Sequence, residues 1–195
     1  MGSQEPQQAK AKQRSTLLRD RQALSEAEWR DRSDRLCAHL QTASIVQQAQ
    51  TILAYFSVRR EPDLSSLFTL PKTWGFPRCV DTSLVWHRWS PDEPLQAGAY
   101  GILEPHPDSP LLNAREVDLL LVPAVACDRV GYRLGYGGGF YDRLLSSPEW
   151  TSKPTIGIVF EFAYLPSLQI DAWDIPLTAV CTESGLYPIP GSRIF

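Results

Sequence analysis

The sequence predicts an α/β fold, a layered domain whose mostly parallel sheet is flanked by helices. Three observations carry that expectation. Short apolar runs of strand type alternate with helical stretches along the 195 residues, as they do where crossover helices link parallel strands. The run Asp118–Ala126 (DLLLVPAVA) is apolar on both faces, which suits a central strand buried on both sides. A loop over 127–139, with five glycines, then joins that strand to a helical stretch. Sheets of this kind bind ligands outside the carboxyl ends of their strands.

In chain order, residues 1–9 are Gln-rich and aperiodic and are expected to form a flexible tail, with 10–195 a single domain. Residues 10–23 suit a basic helix, since Lys10, Lys12, Arg14, Arg19 and Arg21 stand against Asp20 alone. Ser25 with Glu28 three residues on makes a capping box for a second helix, expected to run to about residue 48. On it Trp29, Leu36, Leu40 and Ala43 form one apolar stripe, with Arg30, Asp31, Arg35 and Gln41 facing water. Thr51–Phe56 reads as a buried strand, and Asp63–Ser65 opens a short helix containing Leu64, Leu67 and Phe68. Strands are expected around Val80 and over Leu84–Trp89, then at Asp118–Ala126, at Thr155–Phe160 and, more weakly, at Thr178–Thr182. Phe140–Ser146 suits a helix directly after the glycines.

Composition narrows the function. With 19 Lys+Arg against 22 Asp+Glu, the net charge of −3 argues against nucleic-acid binding by phosphate neutralisation. The charge is uneven: residues 1–25 carry five Lys+Arg against two Asp+Glu, whereas 136–195 carry three against six. That split suits a basic N-terminal helix folded over an anion site, with late acids nearby for a metal. Cys37, Cys79, Cys127 and Cys181 include no C-x-x-C pair, and His39, His87 and His106 lie at no zinc-ligand spacing from them. Reduced, mostly buried thiols in the cytoplasm are expected. The polar start MGSQEPQQAK is no signal peptide and lacks the Ser/Thr of a myristoylation site. The longest apolar run, Leu119–Cys127, is too short to cross a bilayer. The six Trp read as core and pocket wall, and His106 as a surface residue.

Residues 131–143, GYRLGYGGGFYDR, carry the chemistry. Gly135, Gly137, Gly138 and Gly139 let the backbone turn tightly and bring N–H groups close to a ligand. Those groups and the following helix end suit an anion. Arg133 and Arg143 add positive charge, and Asp142 offers a carboxylate suited to Mg2+ on phosphate oxygens. No Gly-Lys-Ser/Thr follows, so this is no Walker A loop, and Phe140 replaces the third glycine of a dinucleotide fingerprint. Arg133 and Asp142 are both expected on a ligand-facing loop rather than in the core.

This segment resembles the signature of the 5-formyltetrahydrofolate cyclo-ligases, also called 5,10-methenyltetrahydrofolate synthetases. The resemblance covers nearly the whole chain: the basic helix before Ala23-Leu24-Ser25, Tyr55 and Glu61, Pro77-Arg78, Gly101-Ile102-Leu103-Glu104-Pro105, Val122-Pro123 with Cys127-Asp128, and Asp174-Ile175-Pro176-Leu177. It implies ATP- and Mg2+-dependent closure of 5-formyltetrahydrofolate to 5,10-methenyltetrahydrofolate through a phosphorylated N5-formyl group. Separately, a cytoplasmic monomer is expected. Carried over residue by residue, it implies that Lys10, Arg14, Arg133, Leu134, Gly135, Tyr136, Gly137, Gly138, Gly139, Phe140 and Tyr141 bind ATP. Arg14, Phe56, Glu61, Tyr136 and Phe140 would meet the folate, Arg133 and Tyr141 would be catalytic, and Asp142 and Asp174 would hold Mg2+. Lys10 and Arg14, four residues apart, share one helical face.

Departures from the pattern are Gln13 in place of Leu, Phe140 in place of the commonest Tyr, Trp173 in place of His, and Glu161-Phe162-Ala163 where a Gln is usual. The layered architecture is Rossmann-like and resembles that of sugar-phosphate isomerases and CoA-transferases, but the base or nucleophile such enzymes need is not found in this loop. A folate- or nucleotide-binding module that has lost catalysis is the other alternative. The presence of Lys10, Arg14, Arg133 and Asp142 counts against it.

Overall fold

Helix α1 (Gln4–Gln22) starts six residues before Lys10 in the computed structural model, which describes residues 4–192. It runs through most of the segment read as a tail, and residues 1–3 lie outside the described residues. Gln, Ala and Lys are good helix formers, and Pro6 falls in the first turn, where no intrahelical N–H is required. Helix α2 (Glu26–Thr42) carries the expected capping box at Ser25. It stops at Ala43, whose extended backbone (φ −69°, ψ 129°) separates it from α3 (Ser44–Gln48). Helix α4 (Phe140–Ser146) has the bounds expected of it.

The strands are β1 (Thr51–Leu53), β2 (Thr73–Val80), β3 (Ser83–Arg88), β4 (Leu95–Ala97), β5 (Leu103–Pro105) and β6 (Leu119–Pro123). They continue with β7 (Ala126–Asp128), β8 (Arg133–Leu134), β9 (Thr155–Ile158), β10 (Tyr164–Leu165), β11 (Ala179–Thr182) and β12 (Gly185–Pro188). Seven form the main sheet in the order β12-β11-β9-β6-β1-β2-β3. Its inner pairs are parallel, and the edge pairs β11–β12 and β2–β3 are antiparallel. The run that looked most buried, β6, is the central strand, hydrogen-bonded to β1 and β9.

Alternate residues of β6 serve opposite faces. Leu119 and Leu121 join Leu36 and Leu40 of α2 in one core. Leu120 and Val122 join Leu17 of α1 and Leu145 of α4 in the other. The sheet is therefore sandwiched, with α2 and α3 on one side and α1, α4 and the small sheet β10-β7-β8 on the other.

Several boundaries differ from the sequence expectation. The run Asp118–Ala126 is two strands in two sheets, because Pro123 has no N–H to extend the ladder and the chain turns away after it. Thr51–Phe56 pairs only as far as Leu53. The short helix is a 3-10 turn, Ser65–Thr69. In β3 both Trp86 and His87 are buried, since the Ser109–Leu111 segment covers this edge and His87 Nδ1 meets the Ser109 carbonyl at 2.8 Å. Five Trp lie inside or half-buried, but Trp173 is exposed.

Candidate functional site

The carboxyl ends of the parallel strands converge on one rim. The chain leaves β1 through Phe56 and returns at Glu61, with Arg59 and Arg60 in left-handed backbone (φ 48° and 57°). Four donors fix this loop: the Tyr55 hydroxyl bonds the Pro62 carbonyl at 2.8 Å, Trp29 Nε1 and Ser57 Oγ bond the Glu61 carbonyl at 2.7 and 2.8 Å, and the Val58 N–H bonds Glu61 Oε2 at 3.2 Å. Glu61 is buried, and its Oε1 accepts the Tyr136 hydroxyl at 2.6 Å. Burial pushes the Glu61 carboxyl above its ordinary value, while the Tyr136 hydrogen bond and the nearby Arg21 charge pull it back. The same burial, with the Glu61 charge, raises the Tyr136 and Tyr141 phenols, which stay protonated donors at neutral pH.

Tyr136 belongs to the glycine loop. After β7 a tight turn is held by the buried Asp128 carboxylate, which accepts the N–H groups of Val130 (3.1 Å), Tyr132 (2.9 Å) and Leu168 (2.9 Å). Strand β8 then delivers the loop at Gly135. Gly137 (φ 98°) and Gly139 (φ 67°) adopt left-handed backbone, and a Cβ on Gly139 would come 2.6 Å from Arg143 Nη1. Arg14 Nε of α1 donates to the Gly135 carbonyl at 2.7 Å, and Arg143 Nη2 donates to the Gly138 carbonyl at 2.9 Å. Gly137 and Gly138 are exposed on this rim, as is part of Tyr136, whose hydroxyl reaches in to Glu61 and Arg21. Phe140 packs against the Arg143 guanidinium (5.2 Å) and edge-on to Tyr100 (6.4 Å).

Both acids expected to hold metal are paired with cations. Arg133 Nη2 donates to Asp142 Oδ1 at 2.5 Å and its Nη1 to the Ile175 carbonyl at 3.1 Å. Lys10 Nζ lies 2.6 Å from Asp171 and 3.4 Å from Asp174. Asp174 also caps the Asp171 N–H at 2.7 Å. Among the described residues no three His, Cys, Asp or Glu converge as a ready-made metal cage. Two carboxylates still fit Mg2+, which is commonly held by one or two acidic side chains together with substrate phosphates.

Most expected residues do come together: Lys10 and Arg14 on α1, Glu61 in its loop, and the glycine segment. Two placements differ from expectation. The Arg133 side chain is only 4% exposed, because its guanidinium faces inward to Asp142 and Ile175. Leu134 is buried with its side chain in the second core, because β8 alternates between faces. Its carbonyl bonds the Val125 N–H at 2.8 Å, so it anchors the loop. Phe56 stacks on Phe76 (4.1 Å) and also lines a groove of about 490 Å³ with Trp29, Ser57, Arg60 and Leu103, beside Glu61. A larger groove, about 590 Å³, lies between Lys12, Thr16 and Leu165, with no carboxylate in its wall.

Sequence reasoning missed Arg21, which is buried beside Glu61 and Tyr136. Its spacing could have found it, since 10, 14, 17 and 21 continue one helical face. It also passed over the meeting of two weakly matching segments, where Arg78 Nε bonds the buried Glu104 carboxylate at 2.9 Å.

A family model described as the 5-formyltetrahydrofolate cyclo-ligase family matches residues 6–183. A 5-formyltetrahydrofolate cyclo-ligase of Haemophilus influenzae is 33% identical over 142 residues, 67% of this chain and 74% of that protein. One from Escherichia coli K12 is 29% identical over 184 residues, 86% of this chain and 96% of that protein. The solved structure of Aquifex aeolicus 5,10-methenyltetrahydrofolate synthetase superposes with a TM-score of 0.83 at 32% identity, covering 95% of each chain.

Proposed function

The chain belongs to the 5-formyltetrahydrofolate cyclo-ligase family, and from that premise we propose how its residues divide the work. The protein is an enzyme that converts 5-formyltetrahydrofolate to 5,10-methenyltetrahydrofolate using ATP. The observation that carries the assignment of roles is the bond from Tyr136 of the glycine loop to Glu61 (2.6 Å), with Arg14 holding the same loop at Gly135. It sets the nucleotide loop and the folate acid edge to edge.

In this reading, Lys10, Arg14 and the loop from Gly135 through Tyr141 bind the ATP phosphates, with Leu134 and the inward-turned Arg133 anchoring the loop from beneath. Glu61, Arg14, Phe56, Tyr136 and Phe140 receive the folate, Glu61 accepting the adjacent N–H donors of the pterin ring. The formyl oxygen on N5 attacks the γ-phosphorus of ATP, the bond to ADP breaks, and the new O–P bond turns a poor leaving group into phosphate. N10 then attacks the formyl carbon and loses its proton, and phosphate departs with the oxygen. The Tyr141 hydroxyl supplies a hydrogen bond as negative charge spreads over the transferred group, and Arg133, turned inward on Asp142 and the Ile175 carbonyl, adds its positive charge from beneath the loop. Mg2+ would be held by Asp142 and Asp174 and would supply charge neutralisation on the phosphates.

The reading extends to a cytoplasmic monomer acting on small molecules rather than on nucleic acid or membranes. The net charge is −3, and no helix among the described residues is long and apolar enough to cross a membrane. The layered sheet is of the Rossmann-like type also used by sugar-phosphate isomerases and CoA-transferases. Purified protein with ATP, Mg2+ and 5-formyltetrahydrofolate should develop the near-ultraviolet absorbance of the methenyl product. Folded protein that gives no product overturns the assignment. Lys10→Ala should chiefly raise the KM for ATP, and unchanged ATP kinetics would remove Lys10 from the site.

A further inference from the structure

Arg21 ends the inward-facing stripe of α1, and only 4% of its side chain is exposed. A guanidinium cannot shed its proton, so burial demands partners for its N–H groups. Nε donates to the Arg59 carbonyl at 3.1 Å, Nη1 to the Ala124 carbonyl at 3.5 Å, and Nη2 to the Tyr136 hydroxyl. Nη2 also stands 4.0 Å from Glu61 Oε1. The loop after β1, the exit of β6 and the glycine loop thus meet on one side chain.

Several charged or titratable groups face Glu61: Arg21 from α1, Arg59 from its own loop, Tyr136 from the glycine loop, and, interacting with its charge, Tyr55 after β1 and Tyr141 from α4. Arg59 is exposed and screened by water, whereas Arg21 shares the dry surroundings of the carboxylate, where a charge acts more strongly. We propose that Arg21 is a positioning residue for folate binding. Its buried guanidinium holds Glu61 as an acceptor-only anion and, through the shared Tyr136 hydroxyl, aims that anion along the edge of the glycine loop. The proposal rests on the folate role assigned to Glu61 above. A protonated Glu61 would turn a donor toward the donors of the pterin ring, so loss of Arg21 should damage folate recognition ahead of ATP recognition.

The test is steady-state kinetics of the full chain for Arg21→Gln, Arg21→Lys and Glu61→Gln, with pH profiles of kcat/KM for 5-formyltetrahydrofolate. Arg21→Gln should raise the folate KM about tenfold and leave the ATP KM within about twofold. It should also move the acidic limb to higher pH, because a buried carboxyl without its cation ionises only at higher pH. Arg21→Lys, which keeps the charge without the fork, should hold the limb in place with a smaller rise in folate KM. Folded Arg21→Gln with unchanged folate KM and limb overturns the proposal, as does an equal rise in both KM values, the mark of a merely structural role. If Arg21→Gln does not fold, Arg21→Lys decides: a raised folate KM alone supports the proposal, and unchanged or jointly raised KM values overturn it. Glu61→Gln with an unaltered folate KM overturns the role of Glu61 and the proposal with it. An effect of Glu61→Gln without one of Arg21→Gln sinks the proposal alone.

Discussion

Arg133 and Asp142 form one ion pair with unequal exposure, 4% for the arginine side chain and 36% for the aspartate. The two residues should therefore respond differently to substitution. Arg133→Ala leaves the Ile175 carbonyl and the inner face of Asp142 without a donor, a loss of about 1–3 kcal/mol for groups shielded from water. Melting should fall by several degrees together with turnover, at about 2–4 °C per kcal/mol for a chain of this size. Asp142→Asn keeps the shape and an acceptor oxygen, so melting should stay within about 2–4 °C of wild type while turnover falls sharply. Thermal melts set beside ATP-dependent turnover check both, and equal destabilisation of the two variants would contradict the burial difference. The loop itself was legible because glycines at these spacings between a buried strand and a helical stretch suit a tight turn. Which of its side chains turn inward was not, because the direction of an arginine depends on the carbonyls brought to it by residue 175, forty-two positions away.

Helix α2 shows how much an element can carry locally. Ser25 Oγ accepts the Glu28 N–H at 3.2 Å, and Glu28 Oε2 accepts the Ser25 N–H at 2.9 Å. Ser25→Ala removes one arm of this box and should lower stability by about 1 kcal/mol, read as a drop of about 2–4 °C in Tm. An unchanged Tm would show that α2 is held by packing alone. The hydrogen bonds from Ser25 hold the Glu28 carboxyl below its ordinary value. A lowered acid stabilises above its unfolded pKa, so the contribution of the box is present at neutral pH and fades as pH falls through the carboxylate range. The cap was legible because every partner lies within three residues. Helix α1 is the opposite case: its inward stripe is Lys10, Arg14, Leu17 and Arg21, with one apolar residue, so a hydrophobic pattern could not find its buried face. Beside Leu17 in the second core, that face is held by the glycine loop, Asp171 and Glu61, which receive its charges.

Across the whole molecule, three of the four thiols are buried, and Cys79 is half-buried on β2. Burial pushes the Cys37 thiol up to about 11 and Cys127 up to about 12, and Cys181 is raised by the same cause. At pH 8 a thiol reagent should label Cys79 alone in the native protein, and all four only after unfolding. Rapid labelling of two or more thiols in the folded state would contradict the packing of both cores. The uneven charge along the chain also finds its reason at this scale, since the basic N-terminal helix lies on the glycine loop and reaches Asp171 and Asp174 from the acidic end. The sequence by itself determined the order of elements, the central place of β6, the capping box and the glycine loop, because each depends on periodicity or on contacts within a few residues. Only the tertiary structure decided which groups receive the charges of α1, that Arg133 is closed away from solvent, and that Arg21, Tyr136 and Glu61 meet at one point. Those outcomes are set by burial and by hydrogen-bond partners that chain closure brings together from up to 164 residues apart, and no local pattern encodes them.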